Sequence, residues 1–74
     1  MDIRRLRQEL EDDLGALTKW DSRRKHLFAL LDDWRDFDAA EKFLDERGFD
    51  YDDEKGEWTD PAQGYTVKLD SREL

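Results

Sequence analysis

The sequence predicts an α+β fold: an N-terminal antiparallel helical hairpin and a third short helix, followed by a small antiparallel β-meander of two to three strands. Three observations lead there. Up to residue 47 the apolar residues recur at steps of three and four, the helical period. Gly48 interrupts that pattern. Beyond it the period becomes two, with Phe49 and Tyr51 alternating with Asp50 and Asp52.

The first helix is expected over residues 2–17. Ile3, Leu6, Leu10, Leu14 and Leu17 form one apolar stripe, and Asp2 is placed to cap it. Gly15 weakens its last turn relative to alanine. The stripe is too short for a coiled-coil seam and is expected to pack internally. A turn over residues 18–22 leads to a second helix at 22–36, with Leu27, Phe28, Leu30, Leu31 and Trp34 on a broad apolar face.

Both segments carry bases at their starts (Arg4, Arg5, Arg7; Arg23, Arg24, Lys25) and acids at their ends (Glu11, Asp12, Asp13; Asp32, Asp33, Asp36). That is the reverse of what a helix dipole favours. An antiparallel hairpin would set each basic start beside the other's acidic end and offset the penalty.

A third helix is expected over 38–47, with Asp38 and Glu41 at capping-box spacing and Ala40, Phe43 and Leu44 facing inward. Nothing breaks the chain between it and the second helix, so one long helix through residue 47 is an alternative. Gly48 is suited to the left-handed position that ends such a helix, with Phe49 touching Leu44. Strands follow at 49–52, 57–59 and 65–69. Residues 53–56 have a turn's composition and 60–64 a loop's. The first turn sets Tyr51 opposite Trp58 on the core face and Asp52 opposite Glu57 outside; a one-residue slip would bury carboxylates.

Seventy-four residues make one domain, 1–74, with a core that supplies only ~3–5 kcal/mol net. Cysteine is absent, while nine aromatic residues provide the bulk for a small dense core. No apolar run reaches the roughly 18 residues of a membrane span, and Met1 to Leu6 lacks the apolar stretch of a secretory signal. A cytoplasmic location is therefore expected. A net charge of −8 disfavours direct binding to nucleic acid or anionic membranes.

All of that net charge sits in residues 36–60, where eleven acids face only Lys42, Arg47 and Lys55; the other 49 residues balance ten acids against ten bases. A calcium loop starting at Asp50 fails, because its sixth and twelfth positions hold Lys55 and Pro61 rather than Gly and Glu. His26 is the single histidine, beside Arg23, Arg24 and Lys25, with no partner for a metal or a nucleophile. Carboxylate-pair catalysis needs a pocket that so small a domain rarely holds. No enzyme activity, cofactor or metal is expected.

There remains the acidic block as a surface for a basic protein. Asp50, Asp52, Asp53, Glu54 and Glu57 are the principal expected contacts, with Asp38, Glu41 and Asp45 next, on one continuous ridge of helix and hairpin. Tyr51 and Trp58 are assigned to the core. A salt-loving source would instead spread its acids evenly along the chain.

In size, acidity and lack of cysteine or catalytic motif, the chain resembles phage-encoded acidic DNA-mimic inhibitors, the anti-CRISPR and anti-restriction proteins. The resemblance implies an inhibitor, monomeric rather than dimeric, acting in a host bacterial cytoplasm. It would occupy the basic surface on which an effector complex binds DNA or guide RNA. The alternative is an adaptor or regulatory module that binds a basic partner without mimicry, and a small enzyme ranks last.

Overall fold

The apolar run His26–Leu31 is a β-strand, and this changes the architecture. A computed structural model of the chain describes residues 2–72. In order they form α1 (Ile3–Leu14), β1 (Leu17–Asp21), β2 (His26–Leu31), a 3-10 turn (Trp34–Asp36), α2 (Phe37–Glu46), β3 (Asp50–Asp52), β4 (Glu57–Thr59) and β5 (Thr66–Ser71). The five strands make one sheet in the order β1-β2-β5-β4-β3. β2 and β5 run parallel, and every other neighbouring pair is antiparallel.

The described residues thus form an α+β fold with two α-helices and a five-stranded mixed sheet. The expected helical hairpin, with three helices and two to three strands, is overturned. Two local causes explain it. Gly15 sits at φ 64, and its N–H closes onto the Leu10 carbonyl, so α1 stops at Leu14 and Leu17 is released into β1. Six consecutive residues from His26 to Leu31, bounded by the Ser22–Lys25 turn and by Asp32 and Asp33, satisfy a strand as well as a helix. The sheet wins because alternate residues find opposite environments: Leu27, Ala29 and Leu31 are buried, while Phe28 is 46% exposed. Trp34, expected on the buried face of a second helix, is 63% exposed.

The cross-helix charge pairing is lost with the hairpin. Arg23, Arg24 and Lys25 lie in or beside the β1–β2 turn instead. At α1, Glu9 accepts ion pairs from Arg5 (3.3 Å) and from Arg47 at the end of α2 (3.0 Å). Arg7 Nε donates to Thr18 Oγ1, which donates to Glu11.

Both helices cover one face of the sheet. Leu6 and Leu10 of α1 and Ala40, Phe43 and Leu44 of α2 form one core with Leu27, Ala29, Leu31, Phe49, Trp58, Tyr65 and Val67. α2 ends in a full Schellman motif: Gly48 N–H donates to the Asp45 carbonyl and Phe49 N–H to the Leu44 carbonyl, each at 3.1 Å. Its N-cap is Asp36, so Asp38 falls inside the first turn rather than at the cap. The β3–β4 register sets Tyr51 opposite Trp58 and Asp52 opposite Glu57.

Three loops share one design. Asp21, Asp52 and Asp60 each accept, through one carboxylate oxygen, the backbone N–H groups two and three residues on. Four residues after each Asp comes a residue with positive φ: Lys25 (52), Gly56 (66) and Gly64 (76). Lys25 alone pays the left-handed penalty of ~1–2 kcal/mol. Lys25→Gly relieves it against a chain-entropy cost of ~0.5–1 kcal/mol. The expected outcome is a thermal midpoint raised by roughly 2–8 °C. An unchanged or lower midpoint in a calorimetric scan would show that strain at Lys25 does not exceed the chain-entropy cost of glycine.

Candidate protein-binding surface

With both helices on one side, the other face of the sheet is uncovered. Strand alternation assigns its residues: Leu17, Lys19 and Asp21 from β1; His26, Phe28 and Leu30 from β2; Thr66, Lys68 and Asp70 from β5; Glu57 and Thr59 from β4; Asp50 and Asp52 from β3. Asp50, Asp52 and Glu57 therefore gather at the β3 edge of this open face. Asp53 and Glu54 extend from the adjoining turn and are exposed.

Asp38, Glu41 and Asp45 are exposed on α2, in the layer on the opposite side of the sheet. The expected single ridge is therefore divided between two faces. The division has a physical cause: strand alternation turns Tyr51 to the helix-covered face with Trp58, which sends Asp50 and Asp52 to the opposite face. Glu41 comes nearest to bridging the gap, sharing a groove of about 120 Å³ with Phe37, Tyr51, Gly56, Trp58 and Leu69 at that edge. Tyr51, assigned to the core from its spacing, is 51% exposed there. Its ring centroid lies 5.1 Å from that of Trp58, which is buried.

The eight acids share one property. Among the described residues, every ion-paired carboxylate lies outside the 36–60 block: Glu9, Asp21, Asp32 and Asp33. At Asp33 the Arg35 backbone N–H, and then its guanidinium, hold the carboxyl below its usual value. None of the eight block acids is ion-paired. The block even gives one of its own bases away: Arg47 pairs with Glu9, donates to the Phe43 carbonyl and stacks 3.5 Å over the Phe43 ring. Asp52 differs from the rest, because its carboxylate also holds the β3–β4 turn.

The sequence reading passed over the middle of the open face. Phe28 and Leu17 (52% exposed) stand there beside half-buried Leu30. Phe28 separates two depressions. One, of about 290 Å³, is lined by Leu17, Thr18, Lys19, Ala29, Leu30 and Asp70. The other, of about 390 Å³, is lined by Arg24, His26, Lys55, Glu57, Thr66 and Lys68. His26 is on this sheet face, not on a helix. Its Nδ1 shares a 2.5 Å hydrogen bond with Thr66 Oγ1, and its ring meets Phe28 edge-on at 4.4 Å. No clear period marks β1 in the sequence: Leu17 and Lys19 share one face and Thr18 and Trp20 the other, so each face mixes an apolar with a polar residue.

No helix among the described residues is long and apolar enough to cross a membrane. Comparison of the chain with protein-family models, with curated proteins and with solved structures finds no match.

Proposed function

We propose that this protein is a small, non-enzymatic inhibitor that docks through its acidic block on a basic protein surface of the kind that otherwise holds nucleic acid. The observation that carries the reading is the concentration of Asp38, Glu41, Asp45, Asp50, Asp52, Asp53, Glu54 and Glu57, none of them in an ion pair, whereas all four ion-paired carboxylates among the described residues, Glu9, Asp21, Asp32 and Asp33, lie outside the block. Carboxylates left unpaired at this density cost stability through mutual repulsion. A cationic partner relieves that repulsion, and the same field attracts phosphates to the partner's groove. Because the acids flank the β3 edge on both faces, the complementary surface is a cleft that receives an edge, not a plane. An anti-CRISPR or anti-restriction type of inhibitor, acting on a bacterial effector complex, is the form this activity takes.

The test is competition with a labelled DNA duplex for a basic DNA-binding protein. Wild-type protein is expected to displace the duplex, less effectively as salt rises. Asp50→Lys with Glu57→Lys is expected to weaken competition about 100-fold, at roughly 1.4 kcal/mol for each reversed charge. Asp52 stays unchanged in this variant, since its loss would also open the turn. Equal competition by the variant, with its circular dichroism unchanged, would refute the proposal.

One observation favours a second reading, an adaptor that binds without mimicry. The exposed Leu17 and Phe28, with half-buried Leu30 beside them and charge around, have the apolar centre and polar rim of a protein interface. On that reading DNA fails to displace the partner.

A further inference from the structure

The depression beside Phe28 has a composition opposite to that of the protein around it. Arg24 reaches it from the β1–β2 turn, Lys55 from the β3–β4 turn and Lys68 from β5, while Glu57 is the single acid in its lining. Three cations and one carboxylate thus converge on a molecule with a net charge of −8. Two of the cations, Lys55 and Lys68, are in no ion pair among the described residues, and Arg24 has only a long 3.9 Å contact to Asp21. Thr66 and His26 add hydroxyl and imidazole groups to the same wall. Phe28 bounds the depression and divides it from the apolar one lined by Leu17, Ala29 and Leu30.

We propose that this site binds a small aromatic anion of the nucleoside-monophosphate type, with its ring on Phe28 and its phosphate among Arg24, Lys55 and Lys68. Arginine and lysine provide charge-assisted donors to phosphate oxygens. An exposed aromatic ring provides a stacking surface that accepts any base. The volume of about 390 Å³ lies at the lower end of the range for small-molecule sites, ~300–1,000 Å³.

Electrostatics sets the size of the ligand. Asp21, Asp50, Asp52 and Asp70 stand on the same sheet face around the cations. A single phosphate seated in the depression meets three cations against one lining carboxylate, Glu57. A polynucleotide would run its next phosphates over the acids and be repelled. The site borders the acidic block, with which it shares Lys55 and Glu57, but its ligand is not that block's partner and the proposal does not depend on the function proposed for the block.

Titration of the full chain with adenosine monophosphate, followed by amide NMR, tests the proposal. Inorganic phosphate and adenosine are titrated in parallel. Saturable shifts are expected at His26, Phe28, Thr66 and Lys68, with adenosine monophosphate binding about tenfold tighter than either fragment. Lys68→Gln removes one phosphate contact, and Phe28→Leu removes the ring but keeps apolar bulk. Each is expected to weaken binding about tenfold, while Lys42→Gln, on the far side of the sheet, leaves it unchanged. The absence of saturable shifts at millimolar ligand overturns the proposal. So does equal binding of phosphate alone, which removes the role of Phe28, or an unaltered affinity in Lys68→Gln.

Discussion

Replacing Leu27 with alanine is expected to remove most of the protein's stability. Leu27 is fully buried on β2, between Trp20 of β1 and Val67 of β5. Its loss removes buried area and leaves a cavity, at a cost of ~2–5 kcal/mol. A domain this small has only ~3–5 kcal/mol to lose. The adjacent substitution, Phe28→Ser, is expected to cost far less, because Phe28 points to the open face. The pair discriminates between the two architectures. In a helix over 22–36, Leu27 and Phe28 both lie on the broad apolar face and both changes are costly. Urea titration of the two variants decides it, and equal losses would contradict a strand at His26–Leu31.

Some of this fold was readable from residues alone. The α1 stripe, the Schellman end of α2 and the β3–β4 register each rest on a local rule that nothing distant opposed. β2 was not readable, because a run of five apolar residues, Leu27–Leu31, hides its own period. What settles it is β5, forty residues further on, which supplies a parallel partner in register from His26–Thr66 to Leu31–Ser71. Long-range pairing of that kind leaves no local trace. The turn before β2 did leave one. Asp21 to Lys25, Asp52 to Gly56 and Asp60 to Gly64 repeat one pattern, an Asp followed four residues later by a left-handed position. Lysine in place of glycine disguised the first copy.

The site divides in the same way. Sequence located the unpaired charge, since eleven acids against three bases cannot all be neutralised nearby. It could not show that α2 and β3 present their acids on opposite sides of a sheet, because that depends on which face of the sheet α2 covers. Edge position also gives Asp50 and Asp52 a second role, as charges that discourage pairing with another chain's strand. The basic depression was invisible for a related reason. Arg24, Lys55 and Lys68 are separated by 31 and 13 positions and meet only through the β2–β5 and β4–β5 pairings.

Among the three Asp-led loops, the last is expected to be the most sensitive. Asp60 is buried, and its carboxylate accepts the N–H groups of Ala62 (2.9 Å) and Gln63 (3.4 Å). Its backbone N–H donates to the Tyr65 carbonyl at 2.9 Å, and its carbonyl accepts from Gly64 at 2.8 Å. Asp60→Ala removes the acceptor of the Ala62 and Gln63 N–H groups from a part-buried turn and is expected to cost ~1–3 kcal/mol. At the more exposed Asp52, water replaces the lost acceptor, and alanine is expected to cost less than ~1 kcal/mol. Asp60→Asn retains an acceptor and is expected to recover most of the loss.

Alkaline pH provides an independent readout of the same corner. Burial, and then the Asp60 charge, raise the Tyr65 phenol above its ordinary value of 10.0. The fold therefore favours the neutral phenol. Its contribution is complete below pH 10.0 and is lost as pH rises through the raised folded value. Tyr65→Phe should abolish that loss, and Asp60→Asn should narrow it, since the charge is removed while burial persists. An alkaline stability curve unchanged in Tyr65→Phe would mean that some other group titrates there. Equal losses in Asp60→Ala and Asp52→Ala would mean that burial of the Asp60 carboxylate does not set the strength of its turn.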